Sequence, residues 1–261
     1  MCLIVFAWRP DHPLPLIVAA NRDEYHDRPT LPLAPWDDCP AIVAGRDLKT
    51  RGTWMGIGPG GRFAALTNIR DPRHPVGHAS RGALPEGFLR GSQSPLEYLQ
   101  QIVPQRHCYS GFNLLVGDAH QLCHLNSQEG LVRVVPPGLH GLSNATLNTP
   151  WPKLHKARTT LAGHLAKWQP DDRPGIDALL NILADTERAP DEELPMTGIA
   201  LERERMLSSI FVLGTDYGTR SSTILLRHAG GACEIVERGF DRQGTEQSEV
   251  RLHYAAPGDT A

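Results

Sequence analysis

Apolar residues fall along this chain in short unbroken runs punctuated by turn-forming residues, a pattern that predicts strands before helices. Cys2-Leu-Ile-Val-Phe-Ala-Trp8 is apolar at every position, as expected of a strand covered on both faces. The Pro-rich turn Arg9–Pro13 follows, then a second apolar run, Leu14–Ala20. Two such runs joined by a short turn predict an antiparallel hairpin. Asn21-Arg22-Asp23-Glu24 comes directly after the second run, so the hairpin would bring Cys2 beside that tetrad.

Tyr25–Asp38 is Pro-rich and reads as a loop. Further strands are predicted at Ala41–Ala44, Thr53–Ile57 and Phe63–Asn68, the last two separated by Gly58-Pro-Gly-Gly61. Helices are predicted over Ser80–Leu89 and from Ser94, where Ser94 and Glu97 have capping-box spacing and Pro95 takes the first helical position. Strands return at Phe112–Gly117, Gln121–Asn126 and Leu131–Val135, with Gly138–Asn144 a short strand ending in a polar loop. Leu154, Ala157, Leu161, Leu165 and Trp168 have helical spacing within Pro152–Trp168, and Ile176–Ala184 reads as a shorter helix. After an acidic, Pro-containing loop at Thr186–Pro195, strands are expected at Ser209–Leu213, Ser222–Leu226 and Cys233–Arg238. Strands and helices come in blocks rather than in βαβ alternation. That order predicts antiparallel sheets with helices packed outside, in one layered domain spanning 1–261.

Composition narrows the function classes. The 261 residues are 40% hydrophobic and 21% charged, with a formal net charge of −3, which argues against a nucleic-acid binder needing a basic face. The longest apolar stretches, such as Leu14–Ala20, fall far short of the roughly 20 residues a bilayer requires. Cys2–Trp8 has no basic region before it, so no signal peptide is expected, and a cytoplasmic, reducing location follows. Five cysteines (Cys2, Cys39, Cys108, Cys123, Cys233) with no CxxC pair fit free thiols rather than a disulfide framework or zinc ribbon. His74 and His78 are four apart, but Pro72, Pro75 and Gly77 make that segment a loop. His120, His124 and His140 show no ligand spacing, and no metal site is expected.

Four features carry candidate chemistry, each with two readings. Cys2 follows an initiator methionine whose removal would give it a free α-amino group, with an ordinary pKa of about 7.7–8.0, able to take the thiol proton; alternatively it is a small apolar residue starting a strand. In the tetrad, Arg22 can stabilise a thiolate and Asp23 can hold the α-amine, or the four residues form a solvated turn. Asn144, in Gly141-Leu-Ser-Asn144, can donate to an oxyanion or simply favour a turn. Arg220, in Tyr217-Gly-Thr-Arg220, can bind a carboxylate or phosphate, or sit in a hairpin turn.

Taken together, the chain resembles the NRDE family, named for Asn-Arg-Asp-Glu, whose eukaryotic members are called transport and Golgi organization proteins. The matching segments are Met1-Cys2-Leu-Ile4, Asn21-Arg-Asp-Glu-Tyr25, Gly52-Thr-Trp-Met-Gly-Ile57 and Ala65-Leu-Thr-Asn68. They continue with Ser80-Arg-Gly82, Tyr109-Ser-Gly-Phe-Asn-Leu-Leu115, Gly141-Leu-Ser-Asn144 and Tyr217-Gly-Thr-Arg220, in the family's order over nearly the whole chain.

The resemblance extends to N-terminal-nucleophile hydrolases, with bile salt hydrolases and penicillin V acylases as the nearest analogy. It implies an α+β fold, a four-layer αββα sandwich of two mainly antiparallel sheets. It also implies a cysteine amidohydrolase acting on the C–N bond of a small acyl-amide. In that reading Cys2 is the nucleophile, Asp23 orients the amine, Asn144 holds the oxyanion, Arg22 or Arg220 stabilises charge, and Asn21, Glu24 and Asn68 contact substrate. The hydrolases carry their early Arg three residues before the Asp, where this chain has Ala20; here Arg22 is adjacent to Asp23 instead. No cofactor is required. The competing role implied by the family is a carrier of haem or an acyl-CoA-like lipid in the same cleft. The oligomeric state is left open.

Overall fold

The computed structural model describes residues 2–73, 75–168 and 175–254. Met1, whose removal the sequence leads one to expect, and His74 lie outside them. Among the described residues the strands are β1 (Cys2–Trp8), β2 (Leu16–Tyr25), β3 (Thr30–Trp36), β4 (Cys39–Asp47), β5 (Met55–Gly58), β6 (Arg62–Asn68), β7 (Phe112–Gly117), β8 (Leu122–Asn126), β9 (Leu131–Val134), β10 (Gly138–Leu142), β11 (Tyr217–Arg227), β12 (Cys233–Phe240) and β13 (Glu246–Tyr254). The helices are α1 (Ala83–Arg90), α2 (Pro95–Ile102), α3 (Pro152–Leu165), α4 (Ile176–Leu183) and α5 (Leu201–Met206).

Two antiparallel sheets stack face to face, in the orders β10-β1-β2-β11-β12-β13 and β3-β4-β5-β6-β7-β8-β9. Alternation along β1 explains its unbroken apolar run. Ile4, Phe6 and Trp8 pack between the sheets against Ile57, Phe63 and Leu115, whereas Leu3, Val5 and Ala7 pack under α3 and α4 against Leu154, Leu161 and Leu183. On the far side of the second sheet, Ile42, Ala64 and Leu114 meet Leu84, Phe88 and Leu99 of α1 and α2. The outcome is the expected αββα sandwich. Each fully buried Leu, Ile or Phe contributes about 1.5–3 kcal/mol of transfer free energy.

The Ser94 capping box forms: Glu97 N donates to Ser94 Oγ (3.3 Å) and Ser94 N to Glu97 Oε2 (3.0 Å). Other expectations need correction. The segment expected to be a loop, Tyr25–Asp38, contains β3, whose Pro32 and Pro35 are tolerated because it is an edge strand. Ser209–Leu213 is not a strand. Phe211 N donates to the Asp185 carbonyl (2.7 Å) and Val212 N to Thr219 Oγ1 (2.9 Å), so these amides serve no ladder. Neither α5 nor β13 was expected, since α5 has only six residues and β13 opens on the polar Glu246-Gln-Ser-Glu249 before its apolar positions Val250, Leu252 and Tyr254. The Asn21–Glu24 tetrad is part of β2, not a turn beyond it. Among the described residues no helix is long and apolar enough to cross a membrane.

Candidate active site

Cys2 opens β1 and is the direct cross-strand partner of Arg22 on β2. Paired residues of an antiparallel ladder project to the same side. Alternation gives Cys2 and Arg22 the inter-sheet face with Ile4 and Ala20, which directs the guanidinium to the thiol's side. Burial pushes the Cys2 thiol up, and the charge of Asp23 acts in the same sense. The Arg22 guanidinium and the Asp23 backbone N–H act against it.

Asn21 and Asp23 take the opposite, helix-side face. Asn21 is fully committed: Nδ2 donates to the carbonyls of Leu183 and Ile210 (both 2.9 Å), and Oδ1 accepts from Ser222 Oγ (2.6 Å). It locks β2 to the end of α4 and is not part of any cavity wall that reaches Cys2. The buried Asp23 accepts from Thr219 Oγ1 through Oδ1 (2.8 Å), and its backbone carbonyl accepts from the Tyr217 hydroxyl (2.7 Å). Burial pushes its carboxyl up, opposed by the charges of Lys153 and Arg70 and the Thr219 hydrogen bond. The Tyr217–Arg220 segment thus clasps the end of β2. Gly218 is required there: a Cβ would lie 2.8 Å from the Val212 carbonyl oxygen. Arg220 falls at a register shift between Thr219 and Ser221, which re-aims its side chain. Its Nη1 donates to the carbonyls of Tyr25 (2.9 Å), His26 (3.2 Å) and Arg28 (3.2 Å), so it braces the turn after β2. It lines a neighbouring groove rather than the Cys2 cavity, whereas Arg22 lines both.

A cavity of about 220 Å³ opens onto Cys2, lined also by Arg22, Asp23, Glu24 and Asn68. Arg28, Asp47, Trp54 and Arg81 complete much of its wall. Arg28 Nε holds Asp47 Oδ2 at 2.7 Å, while Arg22 Nη2 lies 3.9 Å from the same oxygen. Although burial opposes it, this pairing keeps the Asp47 carboxyl below its usual range.

Asn144 lies behind this cavity. Its Nδ2 donates to the Asn68 carbonyl (2.9 Å), and the residue lines an adjoining hollow of about 590 Å³ with Arg70 and Trp151. Ser143 Oγ lies 3.0 Å from the Cys2 carbonyl oxygen and 3.1 Å from Asn144 Oδ1, sharing its one proton between them. Asn113 is the hub beneath. Its Nδ2 donates to Thr67 Oγ1 (3.1 Å) and the Ala145 carbonyl (2.6 Å), and its Oδ1 accepts from Asn126 Nδ2 (3.0 Å). Thr67 Oγ1 in turn donates to the Ser143 carbonyl. The shared motif around Asn113 therefore positions the Ser143–Asn144 loop.

The family model for Transport and Golgi organisation 2 matches residues 1–242. The chain belongs to that family. It is 34% identical over 270 residues to the Bos taurus Transport and Golgi organization protein 2 homolog, covering 97% of this chain and 98% of the relative. The Homo sapiens homolog is 33% identical over 273 residues, with 97% and 98% covered. Among solved structures, a variant of conjugated bile acid hydrolase from Clostridium perfringens superposes with a TM-score of 0.55 over all of both chains at 8% identity. A second mutant of that hydrolase gives 0.54, covering 98% of this chain and 97% of the other. These structural likenesses establish the N-terminal-nucleophile hydrolase fold.

Several groups at this site escaped sequence reasoning. Lys153, in the first turn of α3, is buried, and its Nζ has no hydrogen-bond partner among the described residues. Burial lowers its pKa to about 8 against the pull of Asp23. The signal was there: Lys153 shares the i, i+4 stripe with buried Ala157 and Leu161. Arg70 and Glu204 form a buried ion pair at 2.6 Å that also acts on Lys153. Glu204 sits on the unforeseen α5. Arg81 was visible within Ser80-Arg-Gly82, but nothing in that tripeptide showed that it faces Cys2.

Proposed function

We propose that this chain is an N-terminal-nucleophile amidohydrolase that cleaves the C–N bond of a small acyl-amide, with Cys2 as nucleophile once Met1 is removed. The observation that carries this reading is the cavity of about 220 Å³ that opens onto Cys2 between Arg22 and Asn68. Because burial holds the thiol protonated, a base must take the proton as the bond forms. The Cys2 α-amine is the group at hand, oriented by Asp23. The sulfur attacks the carbonyl carbon, and the oxyanion takes a hydrogen bond from the Asn68 side-chain amide, which has no protein partner among the described residues. Asn144 acts behind it by fixing the Asn68 carbonyl. Collapse breaks the C–N bond, and the departing amine takes the proton from the α-ammonium. Water, deprotonated by the same amine, then attacks the thioester; the C–S bond breaks and the thiol is restored.

The carrier reading draws on the same cavity, with less support. The volume is below the roughly 300–1,000 Å³ of sites for drug-sized ligands, and neither His nor Met is among its lining residues to ligate haem beside Cys2.

The test is intact-mass analysis of the purified protein before and after incubation with a panel of acyl-amides and activated acyl esters. Loss of Met1, an acyl adduct on Cys2 and its absence in Cys2→Ala support the reading. Retention of Met1 removes the base and ends it. Saturable haem or acyl-CoA binding that survives Cys2→Ala, with no turnover, would favour the carrier.

A further inference from the structure

Three guanidinium groups line the Cys2 cavity, and they are not equally provided for. Asp47 pairs with Arg28 at 2.7 Å and with Arg22 at 3.9 Å. Its other oxygen, Oδ1, already accepts from the backbone N–H groups of Lys49 and Thr50 (both 2.9 Å). Arg81 has no such partner. Among the described residues its one hydrogen bond runs from Nη1 to the Gly111 carbonyl (3.1 Å), and it forms no ion pair. Glu24, the acidic side chain that acts most strongly on it, spends Oε1 on the Tyr25 backbone N–H (2.9 Å). Arg81 is half-buried, and that burial disfavours its charge; a cation partly withdrawn from water with no hydrogen-bonded counter-ion gains from a group that pairs with it.

The backbone that carries Arg81 is fixed. Thr53 N donates to the Gly82 carbonyl (3.2 Å) and Leu84 N to the Arg81 carbonyl (3.0 Å). Gly52 and Gly82 touch so closely that a Cβ on Gly52 would lie 2.4 Å from the Gly82 carbonyl. The side chain is thus presented from a rigid lead-in to α1, with part of its planar donor fork left to the cavity.

We propose that Arg81 anchors a carboxylate on the substrate, so that the site takes amides bearing a carboxylate group close to the scissile C–N bond, N-acyl amino acids in chemical class. The planar fork of a guanidinium matches a carboxylate in two parallel hydrogen bonds. The hydroxyls of Ser80 and Ser110, also in the wall, supply further donors to a polar group, the Ser110 oxygen accepting from Gly77 N (3.0 Å) and so keeping its proton to give. This inference rests on the reading of Cys2 as the nucleophile of the cavity.

Iodoacetate and iodoacetamide test it without requiring turnover, because they alkylate the same sulfur and differ in charge. Rates at Cys2 and at the partly buried Cys108 of the same chain, an internal reference, are read by peptide mass spectrometry. The expected iodoacetate-to-iodoacetamide ratio is at least tenfold higher at Cys2. Arg81→Gln lowers it about tenfold, the scale of one charge-assisted hydrogen bond; Arg81→Lys restores part of it. Acetate and N-acetylglycine should protect Cys2 of the unaltered protein more than inorganic phosphate does. A ratio equal to that of Cys108, a ratio unchanged in Arg81→Gln, or protection by phosphate alone overturns the proposal. An intact preference in a protein that hydrolyses no amide would leave the carboxylate site standing and bring down the amidohydrolase reading.

Discussion

Ser143 Oγ lies 3.0 Å from the carbonyl oxygen of Cys2, and through that contact the loop after β10 reaches the start of β1. The hydroxyl also reaches Asn144 Oδ1, which orients the amide that holds Asn68. Removing it should cost both order and chemistry. Ser143→Ala is expected to lose about 1–3 kcal/mol of stability, the usual penalty for stranding a buried acceptor, and to lower turnover by more than that loss explains. Urea unfolding beside steady-state rates measures the two. A variant as stable and as active as the parent would show that the contact is incidental.

The pairing of Arg22 with Cys2 gives a second expectation. The guanidinium favours the thiolate, so Arg22→Met should move the Cys2 titration further upward. Alkylation by iodoacetamide at pH 7.5 should slow severalfold, with the pH midpoint displaced to higher values. An unmoved midpoint would mean that the two side chains share a face without sharing a field.

Lys153 links the site to pH. Its folded value of about 8 lies below its ordinary 10.5. Between those values the unfolded chain binds a proton that the folded chain does not, so stability attributable to this group rises as pH increases. The full gain is about 3 kcal/mol, at 1.36 kcal/mol for each tenfold change in proton affinity. The difference in stability between the parent and Lys153→Met should therefore move in the parent's favour from pH 7 to pH 10, read as thermal midpoints across that range. A constant difference would contradict the assignment.

The Arg70–Glu204 pair should be costly to break from one side. Glu204→Ala leaves a buried guanidinium without its carboxylate and is expected to cost about 3–5 kcal/mol. Glu204→Gln, which keeps an acceptor, should cost less. Denaturant titration of both variants ranks them, and equal losses would mean that charge plays no part.

Much of this could be read from the chain. Unbroken runs such as Cys2–Trp8 and Leu16–Ala20 announce strands buried on both faces, and the hairpin they predict brought Cys2 to Arg22. Register was harder. Whether Arg22 or Asp23 shares the thiol's face depends on which residue pairs with Cys2, and a slip of one position reverses the answer. Asn21, Asn144 and Arg220 were legible as polar residues at element ends. However, their hydrogen-bond partners, such as Leu183, Asn68 and Tyr25, are settled only when distant segments meet. Arg81 and Lys153 became visible for the same reason, since one needs the Gly52–Gly82 contact and the other the packing of α3 on β1.

Pro32 and Pro35 made β3 look like a loop, and the same two residues leave that sheet edge short of backbone donors. A rim strand with a full row of N–H groups invites another chain to extend the sheet. Here two positions of the rim have no donor, and Leu33 N is turned inward to Glu237 Oε1 (2.7 Å). Growth into fibrils or strand-swapped pairs along this margin is thereby obstructed, which should keep concentrated solutions clear.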